Sequence, residues 1–140
     1  MTVEIREQSA DEMMTIMPLV AAWNSKIDPA VLASRLVAML EIGYRCIGAY
    51  DSGQLVGIAG FWTGCQFWCG KFIQADNVIV EQNCRGQGVG KLLMDWIHAE
   101  GRRLGCDVAV LDSYLKLVDS HRFYERLGYE KPGYHFLKRL

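Results

Sequence analysis

The chain has 140 residues, about half of them hydrophobic and about a fifth charged, with a net charge of −1. This composition is typical of a soluble protein, and the length suits one globular domain over residues 1–140 with its own hydrophobic core. The balanced charge argues against a nucleic-acid-binding surface, and no apolar run approaches the roughly 20 residues of a membrane span. Because the five cysteines form an odd set and the first residues lack a signal-peptide pattern, we expect reduced thiols and a cytoplasmic protein.

The N-terminal third predicts one strand and two helices. Residues 3–7 alternate apolar and charged side chains, which indicates a first strand. Pro18 predicts that the following helix is bent or divided into two pieces, because proline removes a helical hydrogen bond. Asp28 followed by Pro29 is a typical start for the next helix, and Gly43 is a natural end.

The middle of the chain predicts antiparallel strands. Residues 44–50 and 55–63 are apolar runs separated by Asp51-Ser52-Gly53, a turn sequence typical of a hairpin. The next turn contains Phe67 and Trp68, which is unusually aromatic for a loop. These two side chains can line a binding pocket, form a dimer contact or pack over the edge of the sheet.

Residues 72–80 predict a fourth strand, which leads into a glycine-rich turn and an amphipathic helix. Strict alternation places four side chains on one face of this strand: Gln74, Asp76, Val78 and Val80. Residues 108–111 form a short apolar run after the helix. A strand–helix–strand order implies that these two strands are parallel.

The glycine-rich turn has the sequence Arg85-Gly86-Gln87-Gly88-Val89-Gly90-Lys91 and lies where the strand gives way to the helix. Backbone N–H groups in the first turn of a helix lack intrahelical partners and carry the positive end of the helix dipole. The glycines let a ligand approach the backbone, and Arg85 and Lys91 add positive charges. The segment therefore predicts a site for a phosphate or pyrophosphate group.

The spacing of this turn excludes two common phosphate loops. A P-loop needs Ser or Thr after its lysine, but Leu92 follows Lys91. A dinucleotide fingerprint needs one more residue before its last glycine. Arg-x-x-Gly-x-Gly after a strand instead resembles the acetyl-CoA pyrophosphate loop of the GNAT superfamily of N-acetyltransferases. The sequence SHRFYERLGY, residues 120–129, resembles the second GNAT signature, so that the resemblance covers residues 72–140.

The resemblance implies an α/β (α+β) GNAT fold, with a mixed, mostly antiparallel sheet of six to seven strands and about four flanking helices. We expect the last helix to be capped by Asp119 or Ser120 and residues 129–140 to add one or two closing strands. In the family the fourth and fifth strands, here residues 72–80 and 108–111, splay apart, and the acyl-CoA lies in the resulting gap.

The same resemblance implies the residues that bind acetyl-CoA. The turn at residues 85–91 is expected to hold the pyrophosphate. Free backbone groups of the fourth strand are expected to bind the pantetheine amides and the thioester: Val78, Ile79 and Val80. Many relatives carry an asparagine where this chain has Leu117, so we expect Asp119 or Ser120 to replace that contact.

Two side chains are candidates for proton transfer. Tyr124 matches the tyrosine that protonates the leaving thiolate in many GNAT enzymes, although Tyr124 could also be a core aromatic residue. Asp76 lies on the face of the fourth strand where relatives often place a glutamate. It could act as the base or form a structural hydrogen bond, and His121 is a weaker candidate for the base.

These features predict a cytoplasmic N-acetyltransferase that transfers an acetyl group from acetyl-CoA to a primary amine within a ternary complex. The alternatives are a catalytically silent acyl-CoA-binding regulatory module and a nucleotide-binding protein. We expect a monomer or homodimer that binds neither nucleic acid nor membrane. We also expect no metal, since no second ligand pair accompanies Cys65 and Cys69 at the spacing of a zinc site. The sequence leaves the acceptor amine open.

Overall fold

A computed structural model describes residues 1–140 and contains one five-stranded sheet whose strand order follows the chain. The strands are β1 (Val3–Glu7), β2 (Arg45–Asp51), β3 (Gln54–Gln66), β4 (Gly70–Val80) and β5 (Val108–Leu111). The helices are α1 (Met17–Trp23), α2 (Pro29–Glu41), α3 (Val89–Arg103) and α4 (Val118–Arg126), with short 3₁₀ helices at Ala10–Ile16 and Gln82–Cys84. None of these helices is long and apolar enough to cross a membrane.

The pairing of β4 with β5 ends early. The first four strands are antiparallel neighbours, whereas β5 runs parallel to β4. This parallel pairing extends only from Phe72 opposite Val108 to Ala75 opposite Leu111, while β4 continues to Val80. The second half of β4 therefore has no neighbour on that side. The mixed sheet and the splayed fourth and fifth strands confirm the predicted GNAT fold.

The predicted strand count is wrong, because residues 129–140 form no strand and the sheet has five strands rather than six to seven. Pro132 lacks the N–H that a ladder requires, and Gly133 next to it weakens any extended segment. The apolar side chains beyond this break, Tyr134 and Phe136 among them, are exposed. No strand of the sheet pairs with this segment, so it forms no ladder.

The N-terminal helices follow the sequence predictions. The first helical segment is divided into a 3₁₀ helix and α1, with Pro18 in the first turn of α1. Asp28 caps α2 by accepting a hydrogen bond from the backbone N–H of Ala30 at 2.8 Å. Gly43, just after α2, has φ +102°, a conformation that glycine adopts readily.

Two hydrophobic cores lie on opposite faces of the sheet. The core under α3 includes Leu93 and Ile97, both with no exposed surface. The second core contains residues of the N-terminal helices, such as Ile16 and Leu36. Burying one such side chain stabilises the fold by roughly 1.5–3 kcal/mol. The sheet is therefore covered on both faces and is left open where its β4–β5 pairing ends.

A β-bulge in β4 interrupts the predicted alternation of side chains. Gly60 of β3 pairs with Asp76, but Ile58 pairs with Ile79, so two steps along β3 correspond to three along β4. Asn77 takes the bulged position with φ +54°. Asparagine tolerates this left-handed conformation better than most residues, which suits it to a bulge.

The bulge corrects the predicted faces of β4. Val78 and Val80 pack against the core under α3, whereas Ile79 is buried in the core of the N-terminal helices. Asp76 bonds with Trp62, which packs against that second core. Asp76 therefore does not share a face with Val78 and Val80, because the extra residue shifts the period-two pattern by one.

Glu100 is a nearly buried carboxylate that links α3 to the sheet, with a side chain only 7% exposed. Arg103 donates to it from Nε at 2.5 Å and Arg45 of β2 from Nη2 at 2.6 Å. These hydrogen bonds, led by that of Arg103, lower the pKa of Glu100 from 4.5 to about 2. Arg45 also bonds Glu7 of β1, so that one charge cluster joins two strands and a helix.

Glu100→Gln should lower the free energy of unfolding at neutral pH by about 1–3 kcal/mol, because it removes a carboxylate that two arginines bind. The folded pKa lies below the unfolded one, so this stabilisation is present above pH 4.5 and is lost as the pH falls towards about 2. Urea denaturation of both proteins at several pH values should show the difference shrinking over that interval.

Asp95→Asn is the matched control, since Asp95 forms only an exposed ion pair with Lys91. Its effect should stay within about 0.5 kcal/mol. A difference between wild type and Glu100→Gln that is constant with pH would contradict the linkage.

Candidate functional site

The glycine-rich turn joins β4 to α3 beyond the point where β5 has left the sheet. Gly86 and Gly88 have φ +74° and +85°, a left-handed backbone that favours glycine. A Cβ atom at either position would meet no other atom within 4 Å. The backbone conformation therefore requires these glycines, and the space beside them is open to a ligand.

Six consecutive backbone N–H groups in this turn, those of residues 86–91, have no hydrogen-bond partner within the chain. The first helical bond of α3 runs from the N–H of Leu92 to the carbonyl of Gly88 at 3.2 Å. Unpaired N–H groups and the dipole of the 15-residue α3 both favour negative charge at this position. The arrangement can bind a phosphate or pyrophosphate through its backbone.

The two predicted cations of the turn differ in their contacts. The Nε of Arg85 donates to the carbonyl of Val80 at 3.1 Å, and its guanidinium lies 5.5 Å from the ring centroid of Trp23 at the end of α1. Lys91 forms an exposed ion pair with Asp95 at 2.6 Å. Arg85 is thus held in place by strand and helix contacts, whereas Lys91 shares its charge with a neighbouring carboxylate.

The other residues of the turn have structural contacts. Gln87 donates from Nε2 to the carbonyl of Asn83 at 3.2 Å, and Val89 is buried in the core under α3. A Cβ atom on Gly90 would lie 3.3 Å from the Cζ of Phe123, so this glycine allows α4 to approach α3. Only the backbone of Val89 and Gly90 is available to a ligand.

Tyr124 lies near the C-terminal end of α4 and is half-buried. Its ring packs edge-on against Phe123 and Tyr129, with centroid separations of 5.1 and 5.9 Å. Its hydroxyl makes no hydrogen bond within the chain. Every fully buried polar side-chain atom of the protein does make one, so the Tyr124 hydroxyl is not fully buried and is open to solvent or ligand. Burial of the ring raises the pKa of Tyr124, so the hydroxyl carries its proton at neutral pH.

Asp76 is the first residue of β4 beyond its pairing with β5. One carboxylate oxygen, Oδ2, accepts a hydrogen bond from the indole Nε1 of Trp62 at 3.1 Å. The neighbouring Asn77 accepts a bond from the hydroxyl of Tyr44 at 3.3 Å. Asp76 therefore stands where the strands begin to splay, with one of its two carboxylate oxygens hydrogen-bonded.

The predicted cap of the last helix is wrong, because α4 begins at Val118 and its N-cap is Leu117, which offers no side-chain acceptor. Asp119 and Ser120 lie within the first turn instead. The Asp119 side chain is fully exposed and lies 3.6 Å from Arg122. Ser120 is half-buried.

Sequence reasoning missed Trp62 and Trp23, the aromatic partners of Asp76 and Arg85. Apolar runs and helix ends commonly carry aromatic residues, so neither position was distinctive. The register of the β3–β4 hairpin would have indicated Trp62, because it pairs with Gln74, two residues before Asp76.

The hairpin turn between β3 and β4 exposes both of its aromatic side chains. Phe67 is fully exposed and Trp68 is 68% exposed, so the alternative that they pack over the sheet edge is wrong. All five cysteines are free thiols. No group of three or more His, Cys, Asp or Glu side chains is arranged to hold a metal ion.

Known proteins resemble the chain in sequence and in fold. Residues 43–131 match the family model of the acetyltransferase (GNAT) domain. The aminoalkylphosphonate N-acetyltransferase of Salmonella typhimurium is 34% identical, over 98% of this chain and 91% of that protein. An uncharacterized N-acetyltransferase of Bacillus subtilis, YhdJ, is 24% identical, over 93% of each chain.

Solved structures of acetyltransferases share the fold at low sequence identity. The ribosomal-protein-alanine N-acetyltransferase of Brucella melitensis biovar Abortus 2308 superposes with a TM-score of 0.84 at 22% identity, over 99% of both chains. The aminoglycoside N-acetyltransferase AAC(6')-Iy in complex with CoA gives 0.85 at 17% identity, over 99% of this chain and 95% of that one. Fold and sequence together define an acetyltransferase. The chain belongs to the GNAT family.

Proposed function

We propose that this protein transfers the acetyl group of acetyl-CoA directly to a primary amine of a small molecule, within a ternary complex. The observation that carries the proposal is the row of six unpaired N–H groups at residues 86–91, which faces open space beside a gap in the sheet. Backbone groups in this arrangement suit a pyrophosphate. Because the chain belongs to the GNAT family, we take this pyrophosphate to be that of acetyl-CoA.

The rest of acetyl-CoA is proposed to lie along the second half of β4. The strand has no β5 partner there, so its backbone groups can bond the pantetheine amides and the thioester. The residues concerned are Val78, Ile79 and Val80. In the first turn of α4, we assign a cofactor contact to Ser120 rather than Asp119, because Ser120 is half-buried and Asp119 points fully into solvent.

The proposed reaction requires two protons to leave the nitrogen and one to reach the thiolate. The ammonium loses its first proton, the neutral amine attacks the thioester carbonyl, a C–N bond forms, the C–S bond breaks, and the departing thiolate takes a proton. The nitrogen then loses its second proton, which returns through water to the group that protonated the thiolate. Tyr124 is proposed to supply the thiolate's proton, since its hydroxyl is protonated and free of other partners. Asp76 is proposed to receive the first proton that the ammonium loses, directly or through water.

The acceptor is proposed to be a small primary amine. The Salmonella relative is named as an aminoalkylphosphonate N-acetyltransferase and aligns with almost the whole chain. Aminoalkylphosphonates are therefore the first class of amine to test. A screen that follows release of free CoA thiol should compare aminoalkylphosphonates with the same amines lacking the phosphonate. Polyamines, aminoglycosides, amino acids and peptides complete the set.

Gly88→Val should weaken CoA binding at least ~10-fold, a loss of about 1.4 kcal/mol. The new side chain would enter the open space where the pyrophosphate meets the backbone. Calorimetric titration with CoA measures the effect. Gly53→Val is the control, because Gly53 also has a left-handed backbone, φ +81°, and open space around it, but lies in the β2–β3 turn.

Both substitutions introduce similar backbone strain, of the order of 1–3 kcal/mol. Only the change at Gly88 should therefore alter CoA affinity. A folded Gly88→Val protein with wild-type affinity for CoA would overturn the assignment of the pyrophosphate to this turn.

Tyr124→Phe should lower turnover by ~10²-fold while leaving CoA affinity and melting temperature near wild type. The substitution removes a hydroxyl that has no partner and keeps the ring packed against Phe123 and Tyr129. Tyr129→Phe is the matched control. It removes a hydroxyl that lies 2.7 Å from the Nε2 of His98, so it should reduce stability by about 1 kcal/mol and preserve turnover.

This comparison also distinguishes the enzyme from a silent acyl-CoA-binding module. A wild-type protein that binds CoA and releases no thiol with any amine would favour the module. Unchanged turnover in Tyr124→Phe would assign the thiolate's proton to solvent.

Asp76→Asn should lower kcat by at least ~10-fold and should remove or shift the acidic limb of the kcat/KM profile, because a base must be deprotonated to act. A carboxylate that only anchors the ammonium would raise KM and leave kcat nearly intact, since it would stabilise ground and transition states alike. The full pH–rate profiles of both proteins separate these roles. Wild-type kcat with an unchanged acidic limb would exclude Asp76 from proton transfer.

A further inference from the structure

Two aromatic residues, one just before β2 and one in β3, hold the bulge of β4 by hydrogen bonds, and we call them the aromatic bracket: Tyr44 and Trp62. The indole Nε1 of Trp62 donates to Oδ2 of Asp76 at 3.1 Å. The hydroxyl of Tyr44 donates to Oδ1 of Asn77 at 3.3 Å. The two rings pack at a tilt of 55° with centroids 5.2 Å apart. Consecutive residues of the bulge are thus each held by one member of an aromatic pair.

The chain makes room for this bracket. Tyr44 is only 4% exposed, and burial raises its pKa, so its hydroxyl remains a donor. Gly60 lies opposite Asp76 in β3, and a Cβ atom there would collide with the phenol ring of Tyr44. A side chain at Gly60 would therefore displace the ring that supports both Trp62 and Asn77. The phenol occupies space that only glycine leaves free.

We propose that Trp62 is a positioning residue for acetyl transfer: its indole N–H holds one oxygen of Asp76, so that the other oxygen faces the acceptor amine. This proposal rests on the function proposed above. A carboxylate on a single-bonded side chain rotates unless a partner fixes it, and a displacement of about 1 Å can slow a reaction ~10²-fold. Tyr44 supports the same geometry, because its ring packs on Trp62 and its hydroxyl donates a hydrogen bond to Asn77, the residue after Asp76.

The first test compares two Trp→Phe variants. Trp62→Phe keeps an aromatic ring beside Tyr44 but removes the N–H, and should lower kcat/KM for the amine ~10-fold with KM for acetyl-CoA unchanged. Trp96→Phe is the matched control, since Trp96 packs on Phe61 with centroids 5.9 Å apart and has no hydrogen-bond partner. It should keep kcat/KM within about twofold of wild type. Equal activities of Trp62→Phe and wild type would overturn the proposal and leave the proposed function standing.

The second test asks whether Trp62 acts through Asp76. In an Asp76→Asn background, Trp62→Phe should cause almost no further loss, because the carboxylate that it orients is already absent. A merely structural role would give the same fold-change in both backgrounds. If the losses of kcat/KM from Asp76→Asn and Trp62→Phe multiply in the double variant, the proposal is overturned, even when Trp62→Phe alone lowers kcat/KM. A wild type that binds CoA but acetylates no amine would overturn both this proposal and the proposed function.

A spectroscopic measurement tests the contact independently of activity. The four tryptophans give four indole N–H signals in nitrogen–proton NMR, and the one lost in Trp62→Phe identifies Trp62. Asp76→Asn should move that signal more than any other, because a charged acceptor is replaced by a neutral one. A Trp62 signal that does not respond would show that the hydrogen bond is absent and would overturn the proposal.

Discussion

The candidate site depends on the early end of the pairing between β4 and β5. β4 and β5 share only four residues of parallel ladder, and no strand pairs with the later part of β4 on that side. Buried N–H and C=O groups need partners, so an open strand in the middle of a sheet is unfavourable unless water or a ligand completes it. The turn that follows has the same character, since its amides are also unpaired. Unpaired backbone groups therefore lie both along the strand edge and at the start of the helix.

The bulge at Asn77 assigns different tasks to the two faces of β4. Before the bulge, Ala75 faces the core under α3 and Asp76 faces the N-terminal helices; after it, Val78 and Val80 face the core under α3. The extra residue allows a carboxylate to stand at the opening of the splay while valines beyond it still anchor the strand. Strict alternation would have placed Asp76 on the same face as Val78 and Val80. The inserted residue puts the carboxylate on one face and leaves the two valines packed against the core under α3 on the other.

Most local features could be predicted, although not the cap of α4, and the resemblance to the GNAT family predicted the topology of the sheet. The register between its strands could not be predicted. The turn at residues 85–91 is contiguous, so its glycines and its place before a helix can be recognised without a structure. The caps and breaks at Asp28 and Pro18 are local for the same reason. The bulge at Asn77 depends on the register between β3 and β4, which no short stretch encodes. The strands predicted at residues 129–140 are absent, because a strand needs a partner to pair with and a sequence pattern does not show one.

The unpaired amides of the turn at residues 86–91 also affect the stability of the protein against unfolding and proteolysis. Without a ligand, water solvates these groups, because no acceptor within the chain pairs with them. A ligand that binds the folded chain alone adds RT ln(1 + [L]/Kd) to its stability, about 2.7 kcal/mol at a hundredfold excess over Kd. The lifetime of the protein would then follow the supply of that ligand. Such a chain would be better protected from unfolding and proteolysis when a ligand of this turn is abundant.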